Sequence, residues 1–129
     1  MITKLYSALK KRSLLLVLAY ALLLTTTSFM NLKDVPSTGL SNEDKVFHTI
    51  AYFIFAVLVY NFLWSKHIKR AILLSVIIVT TYGIIIEVLQ FVLTTHRSFD
   101  LYDALANFSG ALLASILLKV RHNRKLNLN

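Results

Sequence analysis

Four long apolar runs, separated by short polar connections, organise this chain. They cover residues 13–30, 46–64, 71–93 and 104–120. A helix of about 20 apolar residues crosses roughly 30 Å of hydrocarbon, and all four runs come close to that length. No alternation with a period of two, typical of a membrane β-strand, interrupts them. The pattern therefore predicts an all-α, four-helix transmembrane bundle that forms a single domain over residues 1–129.

The first run follows a basic segment, as the apolar part of a secretory signal peptide does. Ala19, Tyr20 and Ala21 even have the small-x-small form of a cleavage site. That tripeptide lies in the middle of the run, however, and the apolar stretch continues beyond it. We therefore expect the first run to be retained as a membrane span.

Composition supports a membrane protein and limits its chemistry. Soluble domains usually contain about 45–50% apolar and about 25% charged residues, whereas this chain is 57% hydrophobic and 16% charged. It contains no cysteine, which excludes disulfides, thiolate zinc sites and iron–sulfur clusters. Its net charge of +8 would suggest a nucleic-acid partner in a soluble protein.

The basic residues cluster on one side of the predicted membrane. Eleven of the 14 Lys and Arg residues lie before the first run, between the second and third, or at and beyond the end of the fourth. The positive-inside rule then places the N- and C-termini in the cytoplasm. This distribution explains the net charge without a nucleic-acid partner, since such residues set topology and contact anionic lipid.

The acids lie on the opposite, outer side. Five of them fall in the two outer connections, the first of which has a predicted turn over residues 36–39. The sixth, Glu87, lies near the outer end of the third run. The acidic positions are Asp34, Glu43, Asp44, Glu87, Asp100 and Asp103. We therefore expect any chemistry at the outer face.

Polar residues recur with helical spacing at the outer end of the second run. Asp44, Lys45, His48 and Tyr52 are spaced so that they share one helical face. Ser41, three residues before Asp44, is the predicted N-cap of this helix. Asp44 and Lys45 are then expected in its first turn.

Two further stripes follow on the third and fourth runs. The positions are Thr80, Gly83, Glu87 and Gln90 on the third, and Asp100, Asp103, Asn107, Gly110 and Ala114 on the fourth. Ser98 is the predicted N-cap of the last helix, and its small residues are expected to allow close packing. An ionisable group inside the membrane costs about 3 kcal/mol by insertion scales. Several at matched depth therefore indicate one shared polar pocket, with Arg97 folding back over it.

Taken in order, these residues resemble the VanZ-like family of small bacterial membrane proteins. The pattern is Asp44-Lys45-x2-His48-x3-Tyr52, then Glu87-x2-Gln90-x6-Arg97-x5-Asp103-x3-Asn107-x2-Gly110. The resemblance covers roughly the second to fourth runs, and it departs from the family pattern at Ala114, where a second glycine is common. It implies a multi-pass protein of the bacterial cytoplasmic (inner) membrane. The family takes its name from a factor that confers low-level resistance to the glycopeptide teicoplanin, which indicates the cell envelope rather than a particular reaction.

The leading hypothesis is a pocket that binds a membrane lipid, either an envelope glycolipid or a lipid-linked phosphate precursor, and that affects glycopeptide susceptibility. Arg97 and Lys45 would bind the anionic head, because guanidinium and ammonium groups suit phosphate. Hydroxyl or amide groups would bind to Glu87, Gln90, Asp103 and Asn107. Asp44 and Tyr52 complete the predicted ligand-binding set.

The main alternative is a membrane-embedded hydrolase or transferase acting on a similar lipid or glycan. Glu87 with Asp103 or His48 would form an acid/base pair, and two carboxylates flanking a sugar suit glycosidic chemistry. These three residues could also hold a divalent ion, but no tight metal motif supports that role. No particular cofactor or oligomeric state is predicted.

Purely structural interpretations stay open at this stage. Glu87 could form an ion pair with Lys45 or Arg97, and Arg97 could pair with Asp100 or Asp103. Asn107 could bridge the third and fourth spans by hydrogen bonds. A third class of function is an accessory subunit whose stripes pack against a partner protein.

Overall fold

The chain folds into five α-helices. A computed structural model describes residues 1–30, 39, 42–95 and 97–128. The helices are α1 (Ile2–Lys11), α2 (Ser13–Phe29), α3 (Glu43–Ser65), α4 (Ala71–Leu93) and α5 (Leu101–Asn127). The described residues contain no β-strand, so the predicted all-α class is confirmed.

Three to four of these helices are able to cross a membrane. α3, α4 and α5 are each long and apolar enough by themselves. α2 has 17 residues, at the short limit for a span, and it forms a bent pair with α1. The apolar runs of a multi-pass membrane protein are thus confirmed as helices, with the first predicted span corresponding to α2.

Helix α1 has no counterpart in the sequence prediction, which treats the residues before 13 only as a basic segment. It is bent by 66° from α2. Ile2, Leu5 and Leu9 follow helical spacing, and all three are exposed. A short amphipathic helix bent away from a span is typical of the membrane interface.

Helix α3 is the centre of the bundle. It packs against α5, α4 and α2, while α4 also packs against α5 and more lightly against α2. The ring of Phe55 on α3 lies 5.1 Å from Tyr82 of α4 and 5.7 Å from Tyr20 of α2. These aromatic contacts hold three helices together in the apolar interior.

Small residues let α5 lie close to α3, as the sequence predicts. Ala111 and Ala114 of α5 are fully buried. A Cβ added at Gly110 would collide with the backbone carbonyl of Thr49 and lie 2.9 Å from the amide nitrogen of Phe53. Only a glycine therefore permits this separation of the two backbones.

The bundle has two chemically different ends. At the polar end, α2 and α4 end while α3 and α5 begin, and this end carries Asp44, Lys45, His48, Asp100 and Asp103. At the basic end, α2 and α4 begin while α3 and α5 end. It carries the predicted cytoplasmic Lys and Arg residues, including Lys10, Lys11, Lys66, Lys69, Arg121 and Lys125. The predicted turn at 36–38 and the predicted cap at Ser41 lie outside the described residues.

Candidate functional site

The ammonium group of Lys45 lies among three carboxylates at the polar end. Its Nζ is 2.9 Å from Oδ2 of Asp44 and 2.7 Å from Oδ2 of Asp100. It also donates to Oδ1 of Asp103. A lysine has three N–H donors, and these three partners use all of them. Lys45 therefore ties the beginning of α3 to the beginning of α5.

Asp100, rather than the predicted Ser98, is the N-cap of α5. Its Oδ1 accepts a hydrogen bond from the backbone N–H of Tyr102 at 2.8 Å, while its Oδ2 faces Lys45. The prediction is wrong by two residues because the helix begins at Leu101, and its first free N–H groups need an acceptor directly before it. The hydrogen bond from Lys45, followed by that from Tyr102, lowers the pKa of Asp100.

His48 of α3 lies between two residues that are one turn apart on α5. Its Nδ1 is 2.9 Å from Oδ1 of Asn107, and its Nε2 is 3.7 Å from Oδ2 of Asp103. In this arrangement Nδ1–H donates to the amide oxygen, and Nε2 faces the carboxylate. The imidazole is held from both sides, and Nε2 is placed to exchange a proton or to contact a hydroxyl.

Below His48, Asn107 and Tyr52 pack against Gly83 of α4. Asn107 is 1% exposed and Tyr52 is 2% exposed. A Cβ at Gly83 would lie 2.9 Å from Cε1 of Tyr52 and 3.1 Å from Nδ2 of Asn107. That Nδ2 atom has no hydrogen-bond partner among the described residues. Asn107 is hydrogen-bonded to His48 on α3, which is the second predicted span. The predicted bridge from Asn107 to the third predicted span, α4, is not formed among the described residues.

Glu87 lies one turn from Gly83 on the same stripe and is 2% exposed. Its Oε1 has no hydrogen-bond partner in the described part of the chain, and neither has Oγ1 of Thr80 at the other side of Gly83. The ion pair of Glu87 with Lys45 or Arg97 is not formed between these described residues. Since a buried polar group without a partner costs about 1–3 kcal/mol, these atoms mark a place suited to a polar ligand group.

Gln90 and Arg97 meet at α2 instead of over the acids. Nε2 of Gln90 donates to the backbone oxygen of Ser28 at 2.6 Å, and Nη1 of Arg97 donates to the same oxygen at 3.3 Å. The last carbonyls of a helix lack partners within it, and a cation is favourable there. Asp100 and Asp103 are paired with Lys45, so the alternative pairing with Arg97 is not formed.

The structure brings most of the predicted residues together and adds one contact that the sequence does not reveal. The group at the α3–α4–α5 junction comprises Asp44, Lys45, His48, Tyr52, Glu87, Asp103 and Asn107. Gln90 and Arg97 lie beside it, next to α2. Ser28 takes part through its backbone carbonyl, which has no signature in a pattern of side chains.

The type of polar group at this site changes from the surface to the interior. The surface holds a cation surrounded by acids, and the middle holds an imidazole. The interior holds an acceptor on Glu87 and a donor on Asn107 that no described residue uses. A hydroxyl group can both donate and accept, so hydroxyls suit both of these interior atoms. Among the described residues, no group of three or more His, Asp and Glu side chains is arranged to hold a metal ion.

A family model and one curated protein match this chain. The model of the VanZ/LLP1 family matches residues 3–122, a range that includes the whole polar end. An uncharacterised protein of the fission yeast Schizosaccharomyces pombe is 27% identical over 122 residues, which cover 95% of this chain and 72% of that protein. No solved structure matches the chain.

Proposed function

The chain belongs to the VanZ/LLP1 family, and we propose that it binds the hydroxyl-bearing head of an envelope lipid at its polar end. The ligand class is an envelope glycolipid or a lipid-linked precursor. The protein would act in the bacterial cytoplasmic membrane, where the positive-inside rule puts the basic end in the cytoplasm and the polar end outside.

One observation carries this proposal. Glu87 and Asn107, at most 2% exposed, present an acceptor and a donor that no described residue uses. They lie on the facing helices α4 and α5, and Gly83, one turn before Glu87 on α4, leaves room for the amide group of Asn107. Polar atoms buried in a membrane protein are costly without partners. The hydroxyl groups of a bound sugar would supply a donor to Glu87 and an acceptor to Asn107.

The charges at the polar end favour a sugar over a bare phosphate as the group bound deepest. Lys45 already donates to three carboxylates, so it has no donor left for an anion. Carboxylates accept hydrogen bonds from hydroxyls, but they repel phosphate. Arg97 uses Nη1 on a backbone carbonyl, and its guanidinium has five donors. We therefore assign any phosphate of a lipid-linked precursor to Arg97.

Access to the deep pair is through partly exposed side chains. The side chain of His48 is 25% exposed and that of Asp103 is 16% exposed. His48 is in turn hydrogen-bonded to Asn107. Because Asn107 is 1% exposed, a head group that contacts His48 from the surface would reach Asn107 by displacing the His48 ring. A lipid held in this way at the outer face of the membrane would be less accessible to antibiotics that bind lipid head groups on that face. This is our explanation for an effect on teicoplanin-type susceptibility.

A lipid-retention experiment tests the proposal. The purified protein is incubated with a bacterial envelope lipid extract, and the lipids that stay bound are identified by mass spectrometry. Wild type is expected to retain a hydroxyl-rich lipid, whereas Glu87→Gln and Arg97→Ala lose it. Ser109→Ala, which changes an exposed residue bonded to its own helix, is the control. Equal retention by all four proteins would contradict the proposal.

An enzyme acting on the same lipid is the second candidate. His48 is oriented by Asn107 and faces Asp103 with Nε2, an arrangement that suits a general base. The same experiment separates the candidates, because catalysis changes the mass of the lipid. With His48→Ala added to the set, a new product formed by wild type and absent with His48→Ala would support the enzyme, and retention of an unchanged lipid would support the binding protein.

A further inference from the structure

The basic end contains a cavity that is separate from the polar site. Its volume is about 280 Å³, and its lining comes from α1, α2, α3 and α5. α2 and α5 do not contact each other in the described part of the chain, although both pack against α3. The cavity is therefore a groove along α3, with α1 and α2 on one side and α5 on the other. We refer to it as the basic-end groove.

Three cations line the basic-end groove from its two sides. Lys10 comes from α1, while Arg121 and Lys125 are one turn apart on α5. None of the acids that the structure describes is part of the lining. These cations have no carboxylate partner among the described residues. Guanidinium and ammonium groups converging from two helices suit a phosphate.

The rest of the lining is apolar and aromatic. Leu16, Leu58 and Leu118 belong to α2, α3 and α5. Along these helices they lie further from the basic end of the bundle than the cations do. Trp64, which is 50% exposed, stacks on Tyr60 with ring centroids 5.9 Å apart. Exposed Trp and Tyr at the end of a span are typical of the membrane–water interface. The groove thus joins a cationic site at head-group depth to an apolar channel at acyl-chain depth.

We propose that the basic-end groove binds one anionic phospholipid. Its phosphate lies between Lys10, Arg121 and Lys125, and one acyl chain follows the three leucines towards the middle of the bilayer. The volume is near the lower limit of about 300–1,000 Å³ for small-molecule sites, so the groove holds the phosphate–glycerol part and the beginning of one acyl chain, and the remainder of the lipid lies in the membrane. The exposed apolar face of α1 keeps Lys10 at this depth. This site does not depend on the lipid proposed for the polar end.

Native mass spectrometry of the full-length protein with defined lipids tests this site. The probes are phosphatidylglycerol, which is anionic, phosphatidylcholine, which is zwitterionic, and glycerol 3-phosphate, which has no acyl chains. The groove variant carries Lys10→Gln, Arg121→Gln and Lys125→Gln. The matched control carries Lys4→Gln, Lys119→Gln and Arg124→Gln, which likewise remove one charge from α1 and two from α5 but lie outside the groove lining.

Wild type and the control variant are expected to retain one phosphatidylglycerol per chain, and the groove variant is expected to bind it roughly tenfold more weakly or worse. Phosphatidylcholine should bind far more weakly, and glycerol 3-phosphate should not displace the lipid. Equal loss in the two variants would overturn the proposal, because it would show attraction by net charge alone. Equal retention of both phospholipids, or displacement by glycerol 3-phosphate, would also overturn it. Circular dichroism of both variants checks that they keep their helices.

Discussion

Nδ1 of His48 lies 2.9 Å from Oδ1 of Asn107, across a separation of 59 residues in the chain. The bond joins α3 to α5 between the ion network of Lys45 and the close backbone contact at Gly110. On the side of the bond nearer the surface lie the partly exposed ion pairs of Lys45. On the interior side lie polar atoms of Glu87 and Asn107 that no described residue uses. The packing of α3 against α5 and the geometry of the candidate site are therefore inseparable.

The substitution Gly110→Ala should destabilise the bundle and weaken the site. The added Cβ meets the backbone of Thr49 and Phe53, which cannot move aside as a side chain can. Overpacking of this kind costs about 1–3 kcal/mol, and thermal unfolding in detergent measures it. Gly83→Ala should cost less, because its new Cβ meets the side chains of Tyr52 and Asn107. A larger loss for Gly83→Ala than for Gly110→Ala would contradict this interpretation.

Replacing Lys45 by methionine should destabilise the polar end. Three carboxylates that share one cation would then repel each other, and Asp103, at 16% side-chain exposure, is the least hydrated of them. Because the group is partly exposed, we expect a loss of roughly 1–2 kcal/mol, between the values for surface and buried pairs. Lys66→Met at the basic end is the control and should change the stability little. Equal effects of the two substitutions in thermal unfolding would argue against a special role of the network.

Acid should weaken the same network through Asp100. The folded pKa of this residue is lowered from its ordinary value of 3.8, chiefly by the hydrogen bond from Lys45. A lowered carboxyl pKa stabilises the folded state fully above about pH 5, and this contribution is lost as the pH falls through 3.8 and below. Asp100→Asn keeps an N-cap acceptor but removes the charge, so its melting temperature should fall less steeply with acid. An unchanged slope between pH 6 and pH 3 would show that Asp100 does not contribute.

The orientation of the bundle can be tested because the chain has no cysteine. Single cysteines at Ser98, near the polar end, and at Asn127, near the end of α5, provide one label for each side. A membrane-impermeant maleimide applied to intact cells is expected to label Ser98→Cys and to spare Asn127→Cys until the cells are opened. The reverse result would place the polar end in the cytoplasm and would contradict the proposed external function.

The sequence predicts this structure well where it depends on periodicity. The apolar runs became helices, and the polar stripes around His48, Glu87 and Asn107 meet because helical spacing fixes which side chains share a face. It predicts less well what depends on partners distant in the chain. Arg97 bonds to the carbonyl of Ser28, a group that every residue has. Which of the acids pairs with Lys45 likewise depends on helix register and not on spacing.

Helix ends were the other source of error, for a local reason. Ser98 and Asp100 are both good caps, and only the contact of Asp100 with Lys45 favours the later start. Helix α1 was not predicted, because the positive-inside rule already accounts for the basic residues before the first span without requiring a helix there. Its apolar face at Ile2, Leu5 and Leu9 is the signal that was available.

In the proposed function a ligand hydroxyl bonds to Oε1 of Glu87, which no described residue uses, and infrared difference spectroscopy tests this contact directly. The chain has two glutamates, Glu43 and Glu87, so labelling glutamate with ¹³C and comparing wild type with Glu87→Gln isolates the carboxyl band of Glu87. Addition of the retained envelope lipid is expected to shift that band in wild type, with no corresponding change in Glu87→Gln. A lipid that binds to wild type and leaves the Glu87 band unmoved would contradict the account.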